Sequence, residues 1–116
     1  MPYITFSRKL PHGVSTGRAS KHLSSLFDNC IIERRGAKSI KKAISTAQAK
    51  GFNSVVIISE SKAEKALRLD VLSTNARTKS FKWSDTYIIK LSGKSNKILN
   101  DDGDEATEEF VRKASD

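Results

Sequence analysis

Ile31-Ile32-Glu33-Arg34-Arg35-Gly36-Ala37-Lys38-Ser39-Ile40-Lys41-Lys42 carries the chain from one kind of element into another. An apolar, β-branched start runs into two adjacent arginines. A glycine turn follows, and then a helix whose first turns hold lysines. Five cations, Arg34, Arg35, Lys38, Lys41 and Lys42, surround the junction, with only Glu33 to offset them. A helix N-terminus already presents unpaired N–H groups and a partial positive charge. Cations there oppose the helix dipole, so phosphate binding explains their placement better than helix stability does. A strand feeding a helix through a tight turn is also half of a parallel crossover unit, so strands are expected on both sides of it.

Upstream, Tyr3-Ile4-Thr5-Phe6 reads as a short strand. Pro11 and Gly13 break the segment after it. Ser15 or Thr16 is the expected N-cap of a helix running to about Phe27, with Ala19, Leu23, Leu26 and Phe27 on one face. Cys30-Ile31-Ile32 is the second strand. The second helix is expected from Ala37 or Ser39 to Lys50, with Ile40, Ala43, Ile44 and Ala47 as its apolar stripe and Gly51 as its terminator. Val55-Val56-Ile57-Ile58 is apolar on both faces, as in a central strand covered on both sides. The predicted core is therefore a parallel, right-handed βαβαβ unit.

The pattern changes downstream. Leu67, Leu69 and Val71 alternate with Arg68 and Asp70, and Trp83 to Leu91 contains Tyr87-Ile88-Ile89. These predict two further strands, an antiparallel pair joined by Ser73 to Lys82. Ser92 to Asn100 reads as a polar, mobile linker, and Asp104 to Ala114 as a last helix or an acidic tail. The expected fold is α/β, with a mixed sheet built on a parallel βαβαβ core plus two more strands. The expected boundaries are 1–92 for the folded region and 93–116 for the linker and acidic segment.

The chain of 116 residues has the size of one domain. Its net charge of +8 hides an asymmetry. Residues 101–116 hold seven acidic and two basic side chains, so residues 1–100 carry 19 basic against six acidic, a balance of +13. A basic body with an acidic end points to a polyanionic partner. No apolar run approaches the ~20 residues of a membrane span, and the N-terminus lacks the pattern of a secretory signal. A single cysteine, Cys30, fits a reducing compartment, and a cytoplasmic location is expected.

Catalytic signatures are missing. No nucleophile elbow, dinucleotide glycine motif or phosphate-binding P-loop occurs. Asp101-Asp102-Gly103-Asp104-Glu105 lacks the spacing of a calcium loop, and one cysteine with two histidines makes no zinc set, so no metal or cofactor is expected. His12 and His22 read as surface residues. Tyr3, Phe6, Phe27 and Phe52 read as core; Phe81 and Trp83, beside Lys79 and Lys82, read either as sheet-edge packing or as a stacking platform.

The basic residues cluster where a parallel sheet brings strand ends together. Arg8 and Lys9 follow the first strand, Arg18 and Lys21 lie in the first helix, and Arg34, Arg35, Lys38, Lys41 and Lys42 occupy the second junction and helix. The carboxyl ends of parallel strands form the usual ligand side of open α/β sheets. These nine residues are the candidate RNA-binding set, gripping phosphate rather than reading bases.

Ile4-Thr5-Phe6-Ser7-Arg8-Lys9, the basic helix over Thr16–Phe27 and Arg34-Arg35-Gly36-Ala37-Lys38-Ser39-Ile40-Lys41 together resemble the opening of a Brix domain, a likeness that covers residues 3–60 well and 61–92 loosely. Leu10 stands where that family more often places proline, and its closing Gly-Pro element is absent. The resemblance implies a non-enzymatic ribosome-biogenesis factor of archaeal type that binds ribosomal RNA or its precursor among pre-ribosomal proteins. It also implies a fold like the anticodon-binding domain of class IIa aminoacyl-tRNA synthetases. By position, it would give Arg8, Lys9, Arg34, Arg35 and Lys38 the RNA contacts. A ribosomal or tRNA-binding protein with such a domain, or a protein-interaction module, is the alternative.

Overall fold

Two runs of β-branched residues form the parallel centre of the sheet. In the computed structural model, which describes residues 2–6, 14–27, 29–33, 39–61, 66–75, 77–78, 80–92, 95–100 and 104–115, β1 (Pro2–Phe6) lies between β2 (Ile31–Glu33) and β3 (Ser54–Ser61). Both neighbours run parallel to β1, with Ile4 opposite Ile32 on one side and Val56 on the other. The connecting helices are α1 (Val14–Leu26) and α2 (Ile40–Ala49). The chain then turns antiparallel through β4 (Ala66–Asn75), β5 (Ser80–Ser92) and β6 (Ser95–Leu99), and ends in α3 (Thr107–Ser115). The six strands stand in the order β2-β1-β3-β4-β5-β6.

Alternation along the strands sends side chains to two cores. Ile4, Phe6, Val56, Ile58, Leu69, Tyr87, Ile89 and Ile98 face Ala19 and Leu23 of α1 and Phe110 and Ala114 of α3. Tyr3, Val55, Ile57 and Leu72 face Ile44 and Ala47 of α2, with Phe52 completing that smaller core. Among the described residues, one face of the sheet thus carries two helices and the other one.

The helix ends follow from local chemistry. Ser39 caps α2 by accepting the Lys42 N–H at 3.2 Å. Gly51, at φ 85°, ends it in the left-handed region that a side chain disfavours. In α3, Glu108 and Glu109 sit in the first turn and Arg112 and Lys113 in the last, matching the helix dipole.

The second half of the chain departs from expectation in two ways. The segment predicted as a polar linker contains β6, which pairs with β5 from Ile88↔Leu99 to Ser92↔Ser95. Among the described side chains of β6, Ile98 is buried and Lys97 exposed, an in-and-out alternation too short to read from the sequence. The connection predicted over Ser73 to Lys82 is a tighter hairpin, with the ladder continuing to Asn75↔Ser80. Asn75 Oδ1 accepts the N–H groups of Arg77 and Thr78, and Gln48 Nε2 of α2 donates to the Asn75 and Ser80 carbonyls. Of the two readings left open for the last segment, the structure shows the helix: α3 docks through the fully buried Phe110 and Ala114. The expected capping side chains Ser15 and Thr16 lie outside the described side chains.

Candidate nucleic-acid interface

Register places the two junctions of interest side by side. Thr5 pairs with Glu33 and Phe6 with Ile58, so the carboxyl ends of β1, β2 and β3 share one end of the sheet. Because the chain steps from β1 out to β2 and then back across β1 to β3, α1 and α2 lie on opposite faces. This is a topological switch point, where open α/β sheets form a crevice outside their strand ends.

Arg18 and Lys21 are exposed on α1, and Lys41 and Lys42 are exposed on α2. The two pairs lie on helices that pack on opposite faces of the sheet, so this part of the set straddles the sheet instead of forming a single-faced patch. Arg8, Lys9, Arg34, Arg35 and Lys38 lie outside the described residues.

Glu33, the one acid of the junction, is engaged within the protein. It accepts the Tyr3 hydroxyl at 2.9 Å and pairs with Lys50 Nζ at 2.9 Å. Burial, reinforced by the Glu33 carboxylate, pushes the Tyr3 hydroxyl up to about 12. Glu33 therefore spends its charge on Tyr3 and Lys50, on the α2 side of the sheet.

A second feature lies further along that face. Trp83 and Phe81 are exposed, at 50% and 43%. Arg68, Asp70, Trp83, Ser84, Asp85 and Thr86 line an open hollow of about 390 Å³. Its polar floor is ordered: Arg68 Nε lies 3.0 Å from Asp70 Oδ1, and the Thr86 hydroxyl donates to the same oxygen at 2.7 Å. A bulge shapes it. Val71 pairs with Asp85 but Leu72 with Trp83, leaving Ser84 as the extra residue of β5. Sequence reasoning named Phe81 and Trp83 but grouped them with Lys79 and Lys82. Lys82 pairs with Ser73 and points to the opposite face, and Lys79 lies outside the described residues. Among the described residues of β4, β5 and β6, the cations on this face are Arg68, Lys90 and Lys97, a set the strand alternation at Leu67–Val71 signals only for Arg68.

His22 is half-buried rather than fully at the surface. Its Nε2 is buried without a partner, and burial lowers its pKa. No group of three or more His, Cys, Asp or Glu suited to a metal occurs among the described residues, and no helix there is long and apolar enough to cross a membrane.

No protein-family model matches the chain, and no curated protein matches it. Among solved structures, it is similar to the crystal structure of a probable ribosomal biogenesis protein from Aeropyrum pernix K1, with a TM-score of 0.60 at 18% identity. The match covers 78% of this chain and 48% of that one, so the chain spans about half the length of its structural neighbour. The shared feature is the mixed α/β fold.

Proposed function

We propose that this chain is a non-catalytic RNA-binding factor in ribosome assembly that holds ribosomal RNA or its precursor by its phosphate backbone. The observation that carries the reading is the convergence of the parallel strands β1, β2 and β3 at one sheet end, with exposed Arg18 and Lys21 on α1 and exposed Lys41 and Lys42 on α2, the helices that follow β1 and β2 in the chain. Arg8, Lys9, Arg34, Arg35 and Lys38 follow those strands in sequence and complete the set. The balance of +13 over residues 1–100 supplies long-range attraction to a polyanion. The fold of the Aeropyrum neighbour and the Brix-like motifs both support a place in ribosome biogenesis. The likeness to anticodon-binding domains, the pre-ribosomal protein partners and the cytoplasmic location belong to the same proposal.

Arginine forks onto phosphate oxygens where lysine offers a point charge, so Arg34 and Arg35 are the residues to reverse. Arg34→Glu with Arg35→Glu is expected to weaken binding of ribosomal RNA fragments at least tenfold at moderate salt, with an unchanged melting temperature. Equal affinity of variant and parent in an anisotropy titration sinks the assignment. Crosslinking and sequencing of RNA bound in cells separates precursor ribosomal RNA from tRNA.

A further inference from the structure

We infer that the open face of β4, β5 and β6 binds an unpaired RNA strand, with a base stacked on Trp83. The inference rests on the RNA-binding reading but concerns a different surface. On this face α2 covers only the β1–β3–β4 side, through Tyr3, Val55, Ile57 and Leu72. Beyond Leu72 the aromatic rings of Trp83 and Phe81 stand uncovered, on the same face and two residues apart along β5. That separation, ~7 Å along the strand, gives each ring its own position for a splayed base.

Charge on the same face selects the occupant. Lys90 and Lys97 are directly opposite each other on β5 and β6, both exposed, and neither has an ion pair among the described residues. Like charges at a cross-strand position oppose each other and weaken the pairing, a cost that a bound phosphate would reverse. Arg68 adds a third cation, on the strand between β3 and β5. Its guanidinium is oriented by Asp70, which Thr86 fixes in turn, and its side chain remains half-exposed. Aromatic rings followed along the same sheet surface by cations suit single-strand recognition, in which bases stack and the backbone tracks the positive charge. An apolar protein partner would leave Lys90 and Lys97 facing each other uncompensated. A duplex, with its bases already stacked, would have no use for Trp83.

Trp83 is the chain's one tryptophan, so its fluorescence reports this surface alone. The test titrates the full chain with a short oligouridylate, and in parallel with an RNA duplex. The expected result is quenching by the single strand, and affinity about tenfold lower in Trp83→Ala with an unchanged melting temperature. Trp83→Phe, which keeps a ring, should recover most of that loss. Lys90→Ala with Lys97→Ala should lower single-strand affinity and flatten its salt dependence. RNA binding without quenching, at equal affinity in Trp83→Ala, overturns the inference and leaves the strand-end reading standing. No binding of either RNA removes both. A Trp83 emission shift that grows with protein concentration without RNA, with a dimer in sedimentation, overturns it in favour of a second copy of the chain.

Discussion

The Tyr87 hydroxyl donates to Glu109 Oε1 at 3.0 Å, joining the middle of β5 to the first turns of the last helix. Around this bond, the Tyr87 and Phe110 rings meet edge to face at 5.5 Å, and Lys113 pairs with both Asp85 and Glu109. The acidic end of the chain is thus partly structural: Glu109 is a sheet contact. Tyr87→Phe should cost about 1–2 kcal/mol, as a buried-side hydrogen bond to a carboxylate is lost. Phe110→Ala should cost about 3–5 kcal/mol, because it empties a fully buried aromatic site. Urea denaturation checks both; a Phe110→Ala chain as stable as the parent would mean that α3 does not close the core.

Alkaline stability follows from Tyr3. Its hydroxyl is held at about 12 in the folded chain against an ordinary value of 10.0, so the unfolded chain loses this proton first. The stabilising contribution is fully present below pH 10 and fades as pH rises from 10 toward 12. Tyr87 is pushed up as well, by burial first and then by its bond to Glu109, and it acts in the same direction. Tyr3→Phe should flatten the alkaline fall in melting temperature. Glu33→Gln should lower the Tyr3 value only in part, since burial remains; spectrophotometric titration of the tyrosines reads this directly.

On the acid side the sign reverses. Burial lowers the His22 pKa in the folded chain below its ordinary 6.5, so the unfolded chain takes up this proton first. Stability is full above 6.5 and declines as pH falls through the lowered folded value. His22→Gln should remove that part of the decline. Chemical-shift titration of the imidazole, with melting curves across the same pH range, tests it.

Lys41 and Lys42 oppose the dipole at the start of α2, so binding and stability should separate there. Replacing both by alanine should leave the melting temperature equal or slightly higher, because alanine favours helix and the unfavourable cations are gone. RNA affinity should fall, and the log–log salt dependence, expected near −4 to −5 for about six phosphate contacts, should shrink by roughly 1.5. A drop in affinity with an unchanged slope would mean that these lysines do not meet phosphate.

The parallel half of the fold was legible because its signals are local and redundant. Ile40, Ala43, Ile44 and Ala47 recur at helical spacing, and Val55 to Ile58 is apolar on both faces. β6 was not, because an edge strand with Ser95, Asn96 and Lys97 has no alternation to read. The ends of β4 and β5 escaped for a related reason: Ser73, Asn75 and Ser80 are polar because the hairpin extends past the core. At the candidate site, the strand-end convergence could be inferred from element order alone. Of the Trp83 surface, the aromatic pair could be named but not its cations, since these come from three strands, and only the register shows that Lys82 belongs to the other face.

The extra residue in β5 divides that strand into two segments set independently of each other. From Asp85 onward the alternation is dictated by the interior, with Tyr87 and Ile89 seated beneath α1 and α3. Before Ser84 it is dictated by the exterior, with Trp83 and Phe81 turned to the open side. Deleting Ser84 would restore unbroken alternation from Asp85 to Trp83 and leave Trp83 opposite Leu72, so the strand should tolerate losing that residue. Its length at this one point is free to vary without choosing between a filled interior and an aromatic exterior.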